Sequence, residues 1–432
     1  MLPKQDERFT VLDSLRGLAA LAVVFWHLAL TLLDAPAGSP YRLGAEVAGF
    51  WRLSPLYPLI AGREAVIIFF ILSGFVLSLP WVRGQRVPYG PFFVKRVCRI
   101  YLPYLATVAL TFAAYALLGG RVVPELGAWF NTPWQRDPSA AEVVNYALLV
   151  GSFEHEPYNI VIWSLVHEMR VSLAFPLLMV PVMRWRWPVT LGAFLGVSAL
   201  GTVLSATVGR GTDYAGTLHY LVFFVVGALL AKHRADVVAW WRRGSRPLHL
   251  LLGAFAFALY SYARVLSSFW NAPRLAWDAE DLLVGVGAVV LIVWLLASRP
   301  AGRVMEYPPL VFLGRISYSL YLLHLLVLFS LVRVLPGSNI YLLLPVALAL
   351  SVGLAWLSYR VVELPSMRLG RYLAGLGRPQ RRPNAQAQPV RRSPRTGGRT
   401  PGWRGRRIFR VGGRKVQRPQ SVQAPLRSKP GK

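Results

Sequence analysis

Long apolar stretches separated by short polar ones dominate the chain. Ten of them are about 17–25 residues long, enough for a helix to cross the roughly 30 Å hydrocarbon core of a bilayer. Their approximate limits are 11–33, 64–82, 99–118, 161–183, 188–208, 216–232, 248–268, 280–298, 311–334 and 340–362. No fixed-period soluble repeat appears. The pattern predicts an all-α fold, a polytopic transmembrane helical bundle of about ten spans over residues 1–372. Residues 119–160, rich in Pro, Trp and acidic side chains, form the largest connection. From 373 to 432 the chain is mostly Arg, Pro, Gly and Gln without apolar periodicity. Such a segment cannot bury enough surface to offset its ordering entropy, so a disordered basic tail is expected.

Composition agrees with the spans. The 432 residues are 55% hydrophobic and only 16% charged, against roughly 25% charged in soluble domains. The net charge of +29 is uneven, because seventeen Lys and Arg residues and no acidic ones follow from Arg378 onward, leaving +12 for the rest. A basic tail with no folded reader points to anionic lipid rather than nucleic acid. Cytoplasmic loops accumulate Lys and Arg. With the N-terminus inside, one set of connections holds Arg83, Arg86, Lys95 and Arg96, then Arg184 and Arg186, then Lys232 to Arg246, then Arg299 and Arg303. The opposite set holds Glu125, Asp137, Glu142, Glu154 and Glu156. An even number of spans with both termini cytoplasmic fits, in a cytoplasmic (inner) membrane. Ala35-Pro36-Ala37 is not read as a cleavage site, because the apolar run before it is too long for a signal peptide and contains Asp13, Arg16 and His27. Cys98 is the single cysteine, which excludes an intramolecular disulfide or a multi-cysteine metal site, and no metal is expected.

Ionisable side chains inside spans cost roughly 2.5–3.5 kcal/mol even on a lenient insertion scale, so each needs a partner or a role. In the first span His27 follows Arg16 by eleven residues. That spacing puts the two within roughly 20° of one helix face and about 16 Å apart along it. The plain alternative is a snorkelling Arg, or an Arg16–Asp13 pair, and a histidine bonded to a neighbouring helix. In the fourth span Ser164, Glu168 and Ser172 recur every four residues beside Trp163. Glu168 and His27 each lie about six or seven residues from the exterior end of their spans, so the two are expected to meet, the carboxylate orienting the imidazole. Ser73-Gly74 lets helices approach closely. Arg96 and Arg99 share a face at the cytoplasmic start of the third span, either as topology anchors or as phosphate contacts. Ser317, Tyr321 and His324 make a third polar face.

These segments, in this order, resemble the acyltransferase-3 family of membrane enzymes that move acyl groups onto surface carbohydrates. The resemblance rests on Leu12-Asp13-x-Leu15-Arg16-Gly17 with His27, Phe69-Phe70-x-Leu72-Ser73-Gly74-Phe75 and Arg96-x-x-Arg99-Ile100 with Pro103-Tyr104. It continues with Trp163-Ser164-Leu165 and Glu168, Leu313-Gly314-x-Ile316-Ser317-Tyr318-Ser319-Leu320-Tyr321-x-x-His324, and Tyr359-Arg360-x-x-Glu363-x-Pro365. Together these cover about residues 9 to 370. After Glu168 many relatives continue with acidic, Gln and aromatic residues, where this chain has Met169-Arg170-Val171-Ser172.

The resemblance implies an acyl-coenzyme A co-substrate, commonly acetyl, with no permanently bound cofactor, and a carbohydrate acceptor from outside. Arg16, Arg96 and Arg99 would hold the anionic donor. His27 would act as general base or transient acyl carrier, Glu168 would fix its tautomer, and Arg16 would join them in the catalytic set. Asp13, Ser73, Trp163, Ser164, Tyr321 and His324 would support the site. The rival from another class is a proton-coupled transporter or flippase of a glycan precursor, since intramembrane Arg, His and Glu also suit a carrier.

Overall fold

The computed structural model describes residues 9–208, 214–268 and 274–376. In chain order the helices are α1 (Thr10–Leu33), α2 (Ala45–Leu53), α3 (Gly62–Val82), α4 (Tyr89–Leu118), α5 (Ala128–Asn131), α6 (Ala140–Leu148), α7 (Ile162–Arg184) and α8 (Trp187–Val208). They continue with α9 (Tyr214–Arg243), α10 (Arg246–Ser268), α11 (Arg274–Ala297), α12 (Arg299–Met305), α13 (Pro308–Val334), α14 (Ile340–Ser358) and α15 (Leu364–Leu376). No strand occurs among the described residues.

Each expected span has its helix. Nine helical stretches among the described residues are long and apolar enough to cross a membrane. The segment expected at 248–268 is helical as α10, which is not one of these nine. Helix α4 begins at Tyr89, well before the apolar run at 99, so Arg96 and Arg99 lie inside it rather than at its start. Helices α14 and α15 are joined by a π-helical turn, Tyr359–Glu363, which places Glu363 inward and buried. Helix α15 continues past the expected boundary at 372, and the expected tail from 377 to 432 lies outside the described residues.

Helices α1 and α13 run side by side in the same direction, and the end that carries their N-termini is called basal here, the other apical. Small residues allow the approach: a Cβ on Gly17 would meet Gly314 N at 2.5 Å and Leu313 C at 2.7 Å. Across the bundle Gly74 of α3 packs on the backbone of Phe224 in α9, the close contact expected of the Ser73-Gly74 pair.

The segment 119–161 is a folded cap rather than an open loop. Phe130, Trp134, Tyr146 and Tyr158 are almost fully buried, and a Ser139/Glu142 capping box starts α6. Arg333, 1% exposed at the apical end of α13, anchors the cap by donating to the carbonyls of Arg121, Phe130 and Pro133 at 3.2, 3.1 and 2.8 Å. Its guanidinium lies over the rings of Phe130 and Trp134. A buried arginine held by carbonyls and aromatic faces needs no acidic partner to be satisfied.

Candidate active site

His27 and His324 come from the adjacent helices α1 and α13, and their rings join by a hydrogen bond of 3.0 Å between His27 Nδ1 and His324 Nε2. The tautomers follow from the network. His324 Nδ1 lies 3.1 Å from the Leu320 carbonyl, which only accepts, so Nδ1 carries the proton. A neutral His324 then has its lone pair on Nε2, and His27 must donate from Nδ1. What remains on His27 is an unprotonated Nε2, the atom a general base or nucleophile needs. Trp129 of α5 stacks on the His27 ring at 5.7 Å with planes 16° apart. It is positioned through its backbone N–H, which donates to Asp34 Oδ2 at 2.7 Å just beyond the end of α1.

Two cavities approach this point. The apical one, about 400 Å3, is lined by His27, Trp26, Trp129, His155, Glu156, Trp163, Tyr220 and Trp277 among others. Aromatic walls with a few polar groups suit stacking on the apolar faces of sugar rings. Burial pushes His155 down to a pKa of about 4, so the cap presents it neutral. The basal cavity, about 610 Å3, is lined by Asp13, Arg16, Ser73, Arg96, Arg99, Ser164, Glu168, Arg315, Ser317 and Glu363. Val66 and Tyr321 line both. The Tyr321 hydroxyl is 2.7 Å from Ser164 Oγ and 3.2 Å from the Val161 carbonyl, which fixes the ring at the neck between the two spaces.

The basal cavity gathers charge. Glu168 Oε1 accepts from Ser73 Oγ at 3.0 Å and lies 3.6 Å from Arg96 Nη2, which also donates to Ser172 Oγ at 2.9 Å. Arg96 Nε is buried without a hydrogen-bond partner among the described residues. Among the described residues Arg99 donates to the Met367 sulfur, a weak acceptor, at 3.1 Å. Arg16 has Arg99, Asp13, Glu168 and Glu363 as its charged neighbours. Glu363 accepts from Ser319 Oγ at 3.0 Å. Guanidinium groups with unused donors facing a cavity are ready for an anion.

The expected meeting of His27 with Glu168 does not occur. Ser164 is level with Tyr321, one turn basal to His324, and Glu168 lies a further turn down α7, which runs in the opposite direction. Counting along α13, the level of Glu168 is about seven residues, roughly 10 Å, below that of His324. The cap occupies the space above α7, so equal counts from the two helix ends do not mean equal depth. Glu168 therefore works among the arginines, and His324, expected only as support, takes the place beside His27. Asp13, Ser73, Ser164 and Tyr321 line the basal cavity as expected, while Trp163 faces the apical one. Trp129 and Arg333 carried no periodic signal in the sequence, since their roles depend on the cap folding back over α1 and α13.

The chain matches the model of the acyltransferase domain family over residues 9–360. It is 26% identical over 384 residues to "Nodulation protein 10" of Rhizobium leguminosarum bv. viciae, covering 83% of this chain and 93% of that protein. It is 28% identical over 325 residues to "Exopolysaccharide production protein ExoZ" of Rhizobium meliloti (strain 1021), covering 72% and 91%. It is 27% identical over 418 residues to "Acyltransferase MdmB" of Streptomyces mycarofaciens, covering 89% and 96%. No solved structure matches the chain significantly.

Proposed function

From the premise that this chain belongs to the acyltransferase family whose model covers residues 9–360, and is a membrane-embedded acyltransferase, we propose that it transfers an acyl group from acyl-coenzyme A to a hydroxyl of a cell-surface glycan. The observation that carries the reading is the pair of cavities meeting at Tyr321, arginine-rich on the basal side and aromatic on the apical side, with the His27 imidazole beside the neck. Arg16, Arg96 and Arg99 bind the donor's phosphates from the cytoplasm, and its long pantetheine arm runs along α1, over about the 16 Å between Arg16 and His27. The acceptor enters from outside and stacks on the aromatic wall. The exopolysaccharide in the name of one relative points to a polysaccharide acceptor, and an acetyl group is the simplest acyl group to pass the neck.

His27 Nε2 removes the proton from the acceptor hydroxyl as that oxygen attacks the thioester carbonyl. The carbon–sulfur bond breaks, and the imidazolium returns the proton to the departing thiolate, leaving ester and free coenzyme A. His324 holds His27 in the reactive tautomer, and Glu168 sets the position of Arg96. A proton-coupled carrier, the rival reading, has no comparable use for a thioester-sized basal cavity. Charge asymmetry supports the cytoplasmic membrane with the N-terminus inside.

The test is acetyl transfer by purified protein in liposomes, with acetyl-coenzyme A on one side and an oligosaccharide acceptor on the other. Free thiol should appear in step with acetyl ester, and His27→Gln should lower turnover by about 10²–10⁴-fold at unchanged protein yield. Normal turnover by His27→Gln would remove the mechanism.

A further inference from the structure

Beyond the proposed acyl transfer, a second group of ionisable side chains lies in the wall of the apical cavity. His219 is on α9, and Asp278 and Asp281 are on α11. All three are at least nine-tenths buried. One ligand atom from each lies within 4.8 Å of the others. His219 Nε2 is 3.6 Å from Asp281 Oδ2 and 4.0 Å from Asp278 Oδ1.

We propose that His219, Asp278 and Asp281 bind a divalent transition-metal cation of the Mn2+ or Zn2+ class. The independent sign is His219 Nε2 itself, which is buried at 2% exposure and has no hydrogen-bond partner among the described residues although it faces two carboxylates. Its other ring nitrogen is engaged, with Nδ1 2.9 Å from Ser198 Oγ. A histidine whose far nitrogen bonds an orienting group while the near one points into a cluster has the arrangement of a metal ligand. Ser198 Oγ can accept from Nδ1, and in that tautomer the Nε2 lone pair faces the carboxylate oxygens, where a cation turns repulsion into coordination. Asp281 is similarly oriented: Oδ1 is held by Arg264, which leaves Oδ2 for the cluster.

The buried carboxylates of Glu64, Glu280 and Asp281 surround the guanidinium of Arg264, and Arg63 is a further cation near Glu64 and Asp281. Ligand atoms about 2.0–2.2 Å from a tetrahedral ion stand roughly 3.4 Å apart, so the observed spacings close with small side-chain rotations. One imidazole with two carboxylates favours a first-row transition ion over Mg2+ or Ca2+, which prefer oxygen alone. His219 and Asp278 line the apical cavity, so the open coordination positions face it. There the ion would hold an acceptor oxygen, a consequence that rests on the proposed acyl transfer, whereas the binding site does not.

The full-length protein, purified in detergent and stripped with EDTA, is loaded with MnCl2 or ZnCl2, gel-filtered, and assayed for bound metal and for Tm. The expected result is roughly one ion per chain with a raised Tm. His219→Ala and Asp281→Asn should each weaken retention about 10–100-fold. His219→Cys, which keeps a softer ligand, should retain Zn2+ in preference to Mn2+. His27→Gln should retain the ion, so a failure of the acyl-transfer reading leaves this measurement intact. A wild-type protein that holds neither ion after loading, or binding unchanged in both His219→Ala and Asp281→Asn, overturns the proposal.

Discussion

Replacing His324 by Phe removes the acceptor that keeps the His27 proton on Nδ1 and leaves that buried N–H without its 3.0 Å partner. Because the Val23 carbonyl one turn back is also an acceptor for the His27 ring, the loss lies at or below the about 1–3 kcal/mol of a fully unsatisfied buried donor. If that cost appears wholly as lost orientation of the base, kcat falls by up to about 5- to 150-fold at 1.4 kcal/mol per decade. The loss is smaller than the 10²–10⁴-fold expected for His27→Gln, because the base itself survives. His324→Gln should recover part of the activity, since a side-chain carbonyl can accept from His27 Nδ1. KM for the donor should not move, because the arginines lie on the other side of Tyr321. The assay is thiol release from acetyl-coenzyme A in liposomes, with kcat and both KM values for the two single variants and for His27→Gln/His324→Phe. The double variant should be no worse than His27→Gln, as members of one catalytic unit are non-additive. Wild-type kcat in His324→Phe refutes the tautomer argument. So does a His324→Gln enzyme as inactive as His27→Gln, which would make His324 a reacting group.

Arg96→Ala with Arg99→Ala should raise the donor KM at least tenfold and leave the acceptor KM near wild type, because charge-assisted phosphate contacts are lost; steady-state kinetics check this. Glu168→Gln should shift the donor KM in the same assay while leaving the pH dependence of kcat in place, since its partners are Ser73 and Arg96 rather than His27. His155 is neutral in the folded cap, with its pKa pushed down from 6.5 to about 4. The opened cap therefore binds more protons within that window, and cap stability should fall as pH drops from about 6.5 toward 4. Hydrogen exchange in 150–160 should rise over that range and lose its pH dependence in His155→Gln. Reporters fused after Arg86 and Arg243 should read cytoplasmic and one at Asn131 exterior; an exterior signal at Arg243 would break the assigned orientation.

The spans were legible because a bilayer-length apolar run has few alternative uses, and the close approach at Gly74 followed from the small Ser73-Gly74 pair in such a run. The early start of α4 was not legible, since Lys95, Arg96 and Arg99 interrupt the apolar run while the backbone stays helical. His27, Arg16, Arg96, Arg99 and Tyr321 stood out as polar residues in apolar surroundings, and all line the two cavities. The partner of His27 was misjudged because depth was counted from helix ends, whereas α7 starts beneath a cap whose aromatic packing has no period to read. The cluster around His219 drew no notice, because its charges come from the ends of four helices, three of them at the start of α11, and only tertiary packing makes them one group.

The ring of Tyr321 also has a consequence for the membrane itself. Polar hollows entering a span from both faces invite ions and protons to cross, and a chain that merely joined them would discharge the gradient its cell maintains. On the proposed reading Tyr321, its hydroxyl lodged against Val161 and Ser164, would make the catalyst an electrical insulator as well, passing one carbonyl group and no ions.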